Sequence, residues 1–208
     1  HTVIFYYASQ TVAVASHIAL EEACAEYEHR KLDFSIAEQR SYEYLQINPK
    51  GRVPSLDTGE GIISETPAIL VYIAQTFPKA QLAPLNDPFE FAKMQEFNVY
   101  LASTVHVNHA HKLRGIRWTD DRSAIDAMKV KVPQTMHDSF DLIENEMFTG
   151  PWVLGGDYSV CDCYLFCISL WLEGDGVDIG DFPKIAEHNT RMRDRASVQT
   201  VLPIHRLS

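Results

Sequence analysis

The hydrophobic pattern of the first third of the chain alternates between the period of a β-strand and that of a helix. Residues 2–7, TVIFYY, are β-branched or aromatic and predict a strand. In residues 12–26 the apolar and small side chains recur at helical spacing, which predicts a helix. HRKLDF then predicts a second strand, and SYEYLQI predicts a short helix that ends before Asn48-Pro49.

Two further strands and a third helix complete this pattern. Ser55–Asp57 and Gly61–Ser64 predict strands around a glycine-containing turn, and a helix is expected from Pro67 to about Phe77. The order β-α-β-α-β-β-α predicts an α/β unit with a mixed four-stranded sheet.

The composition of the chain changes after this unit. Residues 77–89, FPKAQLAPLNDPF, contain three prolines and an Asn-Asp pair, as expected of a linker. Helical patterns without a convincing strand then follow in four segments: residues 89–118, 122–148 (with a bend expected at Pro133), 159–172 and 182–195. We therefore expect an α/β domain at residues 1–78, a linker at 79–88 and an all-α domain at 89–208.

Charge and composition narrow the classes of function. The 208 residues are 46% hydrophobic and 22% charged, as in an ordinary globular protein. The formal net charge of −10 argues against a nucleic-acid partner, because phosphate binding needs a basic face. No apolar run reaches the roughly 18 residues of a membrane span, and the start does not resemble a signal peptide. The four cysteines form no C-x-x-C pair, so we expect them to be buried and reduced in a cytoplasmic protein.

The stretch NPKGRVPSL, residues 48–56, places Val53-Pro54 at the entrance to a predicted strand. Proline cannot donate a ladder hydrogen bond, and it restricts the residue before it. The pair therefore either begins an edge strand or turns the main-chain donor and acceptor of Val53 away from the sheet. The SETP motif at residues 64–67 favours the second interpretation.

In SETP, Pro67 suits the first position of a helix, which makes Thr66 the expected N-cap. A helix N-terminus attracts a carboxylate, and Glu65 supplies the opposite charge for an ammonium group. A plain capping role is the other interpretation of Thr66, and the two roles are compatible. A second cap is expected at Ser159, because S-x-x-D at residues 159–162 resembles a capping box before the apolar, buried helix.

Three motifs together, NPKGRVPSL, SETPAILVYIA and GGDYSVCDCYLF, resemble the cytosolic glutathione transferase family in order and separation. The resemblance covers essentially the whole chain. It implies a thioredoxin-like first domain, an all-helical second domain, a homodimer, and glutathione as co-substrate without a metal. The ASHIAL segment is similar to the bacterial beta class, although Val12 stands where that class has its cysteine.

The resemblance also implies a glutathione site. The Val53–Pro54 bond would be cis, and the main chain of Val53 would pair with the cysteine moiety of glutathione as in β-augmentation. Arg52 and Pro54 belong to the same binding stretch. Glu65 and Thr66 would hold the zwitterionic γ-glutamyl end; the family usually has serine at the place of Thr66, and the hydroxyl is kept.

The histidine- and arginine-rich stretch at residues 105–118, VHVNHAHKLRGIRW, has two interpretations. Its cations complement the C-terminal end of a helix, or they line a pocket for an anionic second substrate. Family helices in this region line that pocket, which makes candidates of four residues: Tyr100, His106, Arg114 and Trp118. No metal site is expected, because no carboxylate or cysteine lies at ligand spacing nearby.

A transferase must also stabilise the glutathione thiolate, because a free thiol has a pKa of about 8.5. The family places the donor just after the first strand, here YYASQTVAVASH. Strand alternation puts Tyr6 and Tyr7 on opposite faces, so at most one of the two hydroxyls can point at the site, and a core role is the other interpretation of both. We expect Ser9 to be the donor, with Thr11 close behind and Gln10 as an amide donor, near the positive end of the next helix. A helix cap without a catalytic part is the alternative.

The sequence therefore predicts a glutathione transferase that acts on a small electrophile, without a nucleic-acid or membrane partner. Two alternatives remain open. One is a non-catalytic protein that binds glutathione or carries ligands. The other is a related glutathione-dependent isomerase, dehalogenase or peroxidase. The motifs that bind glutathione are common to all of these, so the thiolate donor distinguishes the enzymes from the carrier.

Overall fold

The computed structural model describes residues 2–208, which form two compact units: residues 2–91 with 193–208, and residues 92–192. The first unit begins with seven elements in the predicted order. They are β1 (Val3–Tyr7), α1 (Ala13–Glu22), β2 (Tyr27–Lys31), α2 (Tyr42–Ile47), β3 (Ser55–Asp57), β4 (Ile62–Ser64) and α3 (Thr66–Thr76).

These strands form a mixed four-stranded sheet in the order β2-β1-β3-β4, which confirms the predicted thioredoxin-like fold class. β1 and β2 are parallel because α1 carries the chain back between them. β3 runs antiparallel to both β1 and β4. The turn between β3 and β4 closes with a 3.0 Å hydrogen bond from Thr58 N to Gly61 O, so Ser55 lies opposite Ser64.

The core of the first unit lies between the sheet and the helices that pack on it. Its fully buried side chains come from β1, α1, β3 and α3: Phe5, Ile18, Leu20, Leu56, Ile69, Leu70 and Ile73. Each buried side chain of this size contributes about 1.5–3 kcal/mol to the stability of the fold, compared with leaving it exposed. The sheet and its connecting loops therefore rest on a rigid apolar base.

The end of the chain packs with the first unit. Helix α9 (Ala196–Ile204) contacts α1, and Arg195 forms a bidentate ion pair with Glu22 at 2.6 and 2.8 Å. The His17 and His205 rings also meet there, with 2.9 Å between Nδ1 and Nε2, and both side chains are fully buried. The domain boundaries at residues 78 and 89 remain a prediction.

The second unit is helical. Its elements are α4 (Pro88–Tyr100), which begins in the first unit, α5 (His106–Ala110), α6 (Arg122–Leu142), α7 (Val160–Ser169) and α8 (Pro183–Arg193). Five-residue π-helical segments follow α4 and α6. The continuous helical pattern predicted for residues 89–118 is wrong beyond Ala110, where turns and a short 3-10 helix at Gly115–Arg117 replace the α-helix. Pro133 lies inside α6.

Helix α7 is buried along its whole length, as its apolar sequence predicted. Its capping box is confirmed: Ser159 N donates to Asp162 Oδ2 at 2.8 Å, and the Ser159 side chain accepts from the first turn. Asp162 is fully buried and also accepts hydrogen bonds from Val153 N and His188 Nε2, both at 2.9 Å. One carboxylate thus joins the start of α7 to the preceding loop and to α8.

Two further expectations concern the cysteines and the membrane. All four cysteines are free, but Cys24 is exposed, so the prediction that all four are buried is wrong for this one. Its backbone adopts a positive φ of 50° just after α1, where the chain turns toward β2 at the surface. Within residues 2–208, no helix combines the length and the apolar character that crossing a membrane requires.

Candidate functional site

The sheet register brings three loops of the first unit to the same end of the sheet. Tyr6 pairs with Ser55, and Ser55 pairs with Ser64. The loop after β1 follows Tyr7, the Val53–Pro54 turn leads directly into Ser55, and α3 begins two residues after Ser64. The loop after β1, the Val53–Pro54 turn and the start of α3 therefore lie side by side.

The Val53–Pro54 peptide bond is cis, which confirms the conformation that the resemblance implied. The paired residues of β3 begin at Ser55, so the N–H and C=O of Val53 lie outside the sheet ladder. Pro54 is buried and Val53 is partly buried. The Val53 main chain therefore sits at the end of the sheet beside α3, where an extended peptide can pair with it.

Glu65, rather than Thr66, occupies the N-cap of α3, so the predicted cap assignment is wrong. The physical reason is the short connection: β4 ends at Ser64 and the helix begins at Thr66, which leaves Glu65 as the only residue between them. Glu65 has a φ of 79° and a side chain that is 66% exposed. Thr66 is 5% exposed, and Pro67 follows it in the first turn. Few side chains therefore compete with a ligand for the N–H groups at the start of this helix.

Lys50 is a neighbour of this site that the sequence did not identify. Its Nζ atom forms an ion pair with Glu65 Oε1, and its side chain is 45% exposed. An exposed pair of this kind contributes only about 0–1 kcal/mol to stability, so the pair is free to exchange partners. A carboxylate and an ammonium group therefore stand together at the start of α3.

A buried hydrogen-bond network lies behind the Val53 turn. Tyr44 Oη donates to the carbonyl oxygen of Arg52 at 2.7 Å, and Asn48 Nδ2 donates to the same oxygen at 2.8 Å. Both side chains also reach Ser55 Oγ, at 3.0 and 3.1 Å. The Arg52 side chain is exposed, so its buried partners contact the main chain. The i, i+4 spacing of Tyr44 and Asn48 on SYEYLQIN is the sequence signal that could have revealed this network.

The loop after β1 distinguishes the three predicted donors. Thr11 Oγ1 donates to Ala8 O at 2.8 Å and accepts from Ala13 N at 3.3 Å, so its hydrogen is already used within the loop. Gln10 Nε2 donates to Arg206 O at 3.2 Å. The Ser9 Oγ atom is shielded from solvent and has no hydrogen-bond partner within residues 2–208. Ser9 therefore keeps a hydroxyl hydrogen of the kind that Thr11 has already donated, while the exposed Gln10 has used one of its two amide hydrogens.

Tyr6 and Tyr7 point to opposite faces of the sheet, as predicted. Tyr6 packs with Leu32 and Tyr44, whereas the Tyr7 ring lies 4.8 Å from the ring of His205. Burial raises the pKa of Tyr7, although the charge of Arg206 opposes the shift. Tyr7 is buried against the His205 ring, so it fits the core role.

The four predicted second-substrate residues lie in the second unit. Tyr100 ends α4 and His106 begins α5, with the His106 ring 4.9 Å from the ring of Trp171. Arg114 is exposed, and the half-exposed Trp118 packs on His111 at 4.3 Å. The structure thus places His106 and Trp118 in two different aromatic pairs. Their contact with a substrate stays a prediction.

Part of the cationic stretch stabilises a buried acid. His109 Nδ1 lies 2.6 Å from Asp175 Oδ2, and Lys112 Nζ lies 3.7 Å from Asp175 Oδ1. Asp175 is buried, and the His109 ring stacks on Trp171 at 4.1 Å. These two side chains therefore support the fold of the second unit. Across residues 2–208, no group of three or more His, Cys, Asp or Glu side chains is arranged to hold a metal ion.

Comparison with known proteins identifies the family. Residues 2–75 match the protein-family model of the glutathione S-transferase N-terminal domain. A glutathione transferase homologue from Sulfitobacter, solved with bound glutathione, is 46% identical, with 96% of each chain covered and a TM-score of 0.93. The beta-class glutathione S-transferase of Sphingomonas chungbukensis is 26% identical over 99% of this chain and all of that one, with a TM-score of 0.85.

Among curated proteins, glutathione S-transferase GstA from Escherichia coli O157:H7 is 26% identical over 95% of this chain and 96% of its own length. The likeness therefore extends over both units. The chain belongs to the glutathione transferase family.

Proposed function

We propose that this protein joins the sulfur of glutathione to a small electrophile. The observation that carries the proposal is the meeting of three loops at one end of the sheet. They are the loop that contains Ser9, the turn at Val53, and the start of α3 at Glu65 and Thr66. Their chemistry fits the γ-glutamyl end, the cysteinyl main chain and the thiol of glutathione.

Two of the three residues of the tripeptide have a partner in this arrangement, the γ-glutamyl and the cysteinyl residue. The γ-glutamyl carboxylate accepts hydrogen bonds from the first turn of α3 and the Thr66 hydroxyl, because a helix N-terminus favours an anion. The γ-glutamyl ammonium pairs with Glu65, which exchanges it for Lys50. The cysteinyl residue pairs with the N–H and C=O of Val53, between Arg52 and Pro54, as an added strand would.

Ser9 then supplies the hydrogen bond that stabilises the thiolate. Among residues 2–208 its hydroxyl has no hydrogen-bond partner, whereas Thr11 donates its one hydroxyl hydrogen to Ala8 O and the exposed Gln10 gives one of its two amide hydrogens to Arg206 O. The S–H proton leaves to water. The sulfur electron pair forms the new C–S bond, and the leaving group departs with the electrons of the bond that breaks. Tyr100, His106, Arg114 and Trp118 are the proposed contacts of the electrophile.

The family also supports a homodimer and a cytoplasmic location as parts of this proposal. Four free cysteines are typical of a reducing compartment. We expect no nucleic-acid partner, because the net charge is −10.

Calorimetry with glutathione, followed by turnover of a chlorodinitrobenzene-type electrophile across pH, tests the proposal. Binding together with turnover that rises as the thiol ionises is the expected result. Binding without turnover favours a carrier of glutathione or other ligands. A chain that does not bind glutathione at all contradicts the proposal.

A further inference from the structure

Tyr44 and Asn48 hold one peptide group from the same side. Both side chains donate to the carbonyl oxygen of Arg52, at 2.7 and 2.8 Å. Tyr44 lies in α2, and Asn48 is the C-cap of that helix, so a spacing of four residues places them on one face. Both donor residues are nearly fully buried, so water does not compete for their hydrogens.

The hydrogens of the network have one consistent assignment. A carbonyl oxygen only accepts, so Tyr44 gives its hydrogen to Arg52 O, and the Ser55 hydroxyl must donate to Tyr44 Oη across 3.0 Å. Asn48 Nδ2 spends its two hydrogens on Arg52 O and on Ser55 Oγ. Burial raises the pKa of Tyr44, which keeps the hydroxyl protonated as this assignment requires.

The oxygen that is held belongs to the Arg52–Val53 peptide, and the other polar group of that peptide is the Val53 N–H. This bond is not among the cis bonds of the described chain, so its N–H points opposite to its C=O. Because the C=O points at Tyr44 and Asn48, the N–H must point away from α2. Holding one end of a planar group fixes the direction of the other.

We infer that Tyr44 and Asn48 are positioning residues that aim the Val53 N–H at the peptide ligand. The inference rests on the proposed function, in which Val53 pairs with the cysteinyl residue of glutathione. Neither side chain needs to touch the ligand. They lower the cost of binding, because the peptide plane is already oriented before glutathione arrives.

The rest of the loop shows the same constraint. Asn48 Oδ1 accepts from Lys50 N at 3.2 Å, and Asn48 O accepts from Gly51 N at 2.9 Å. Gly51 has a φ of 60°, and a Cβ atom there would lie 2.9 Å from Gln39 O. The loop between α2 and Val53 is therefore held at both ends. Asn48 takes part in most of these hydrogen bonds.

The test uses Tyr44→Phe, Asn48→Ala and the double variant, with glutathione affinity measured by calorimetry. Each single variant is expected to weaken binding by about two- to tenfold, the usual effect of one net hydrogen bond. The double variant is expected to lose affinity by a factor larger than the product of the two single losses, because either donor alone still holds the carbonyl group. Tyr42→Phe with Gln46→Ala is the matched control, since both side chains are exposed on the same helix. The control should bind like the wild type.

A ligand fragment separates positioning from a general loss of structure. γ-Glutamyl methylamide keeps the ammonium and carboxylate that Glu65 and Thr66 would bind, but it lacks the cysteinyl residue. The Tyr44 and Asn48 variants should bind glutathione more weakly than the wild type does. Their affinity for this fragment, measured from NMR shifts, should stay the same. Glutathione affinity within twofold of wild type in both single variants, or equal losses for glutathione and fragment, would overturn the inference alone. Absence of glutathione binding by the wild type would overturn the proposed function as well.

Discussion

Glu65 is the residue on which we expect glutathione affinity to depend most strongly. Its carboxylate is mostly exposed and stands at the N-cap of α3, so it is available for an ammonium group. Glu65→Ala should weaken the binding of glutathione by roughly ten- to a hundredfold, because a hydrogen bond to a charged group contributes about 1.5–3 kcal/mol. Calorimetry measures the change, and the melting temperature should stay nearly constant.

Glu60→Ala is the matched control for this prediction, because Glu60 is an exposed glutamate on the nearby turn between β3 and β4. It should bind glutathione like the wild type. An affinity that is the same in Glu65→Ala as in Glu60→Ala would remove Glu65 from the site.

At this scale the sequence predicted residue types better than their exact roles. SETP correctly predicted a helix start beside an acid, but the N-cap fell on Glu65 because the loop has a single residue. Ser9, Gln10 and Thr11 could not be separated by pattern. What distinguishes them is how each donor is used: Thr11 donates its one hydroxyl hydrogen to Ala8 O, and Gln10 gives one of its two amide hydrogens to Arg206 O, which is distant in sequence.

Among the elements, α7 depends on its capping box. Ser159→Ala should destabilise the protein by about 1–2 kcal/mol, the usual cost of losing an N-cap. Asp162→Ala should cost more, about 3–5 kcal/mol, because three buried donors lose their acceptor: Ser159 N, Val153 N and His188 Nε2. Denaturant unfolding measures both, with the exposed Asp157→Ala as control. Equal costs for Ser159→Ala and Asp162→Ala would contradict this account of the network.

The contact between α1 and α9 predicts a loss of stability in acid. Burial is the main cause that lowers the pKa of His17 to about 3 and that of His205 to about 4. In the unfolded chain both histidines bind protons near pH 6.5. The unfolded state therefore takes up protons first as the pH falls, so stability is complete above about pH 6.5 and declines toward pH 4.

The slope of this decline is the measurement. The free energy of unfolding between pH 7.5 and pH 4.5 should fall less steeply in His205→Gln than in the wild type, because one of the two titrating groups is gone. This holds even if the variant is less stable overall. Equal slopes in the two proteins would contradict the assignment to this pair.

The order of the elements was readable from the hydrophobic period, and the exceptions have physical causes. β2 was predicted from His29 but begins at Tyr27, because pairing with β1 sets its register. α9 was missed, since the short segment ASVQTVLPI contains Pro203 and its helix is stabilised by α1 and by the Arg195–Glu22 pair. Contacts that are distant in sequence decided both cases.

For the whole molecule, the proposed homodimer predicts a mass of about twice 23.6 kDa in light scattering at micromolar concentration. The apolar run of α4 that includes Phe91, Met94 and Phe97 is long enough for both core and interface, with the core alone as the alternative. Met94 and Phe97 are buried, so they belong to the core, while Phe89 and Val99 on the same helix are exposed. A mass near 23.6 kDa would contradict the dimer.

We propose that this protein activates the thiol of glutathione and that Ser9 is the residue that does so. One hydrogen bond of about 1.5–3 kcal/mol to the thiolate lowers its pKa by roughly one to two units, since a unit corresponds to about 1.36 kcal/mol. The reference is the value of about 8.5 for a free thiol.

The most direct measurement is the thiolate absorbance of bound glutathione as a function of pH, in the wild type and in Ser9→Ala. We predict a midpoint one to two units below about 8.5 in the wild type, and a return toward the free value in Ser9→Ala with glutathione still bound. Thr11→Ala and Tyr6→Phe serve as comparisons. A wild-type midpoint equal to that of free glutathione would contradict the account, as would a midpoint that Tyr6→Phe raises and Ser9→Ala leaves unchanged.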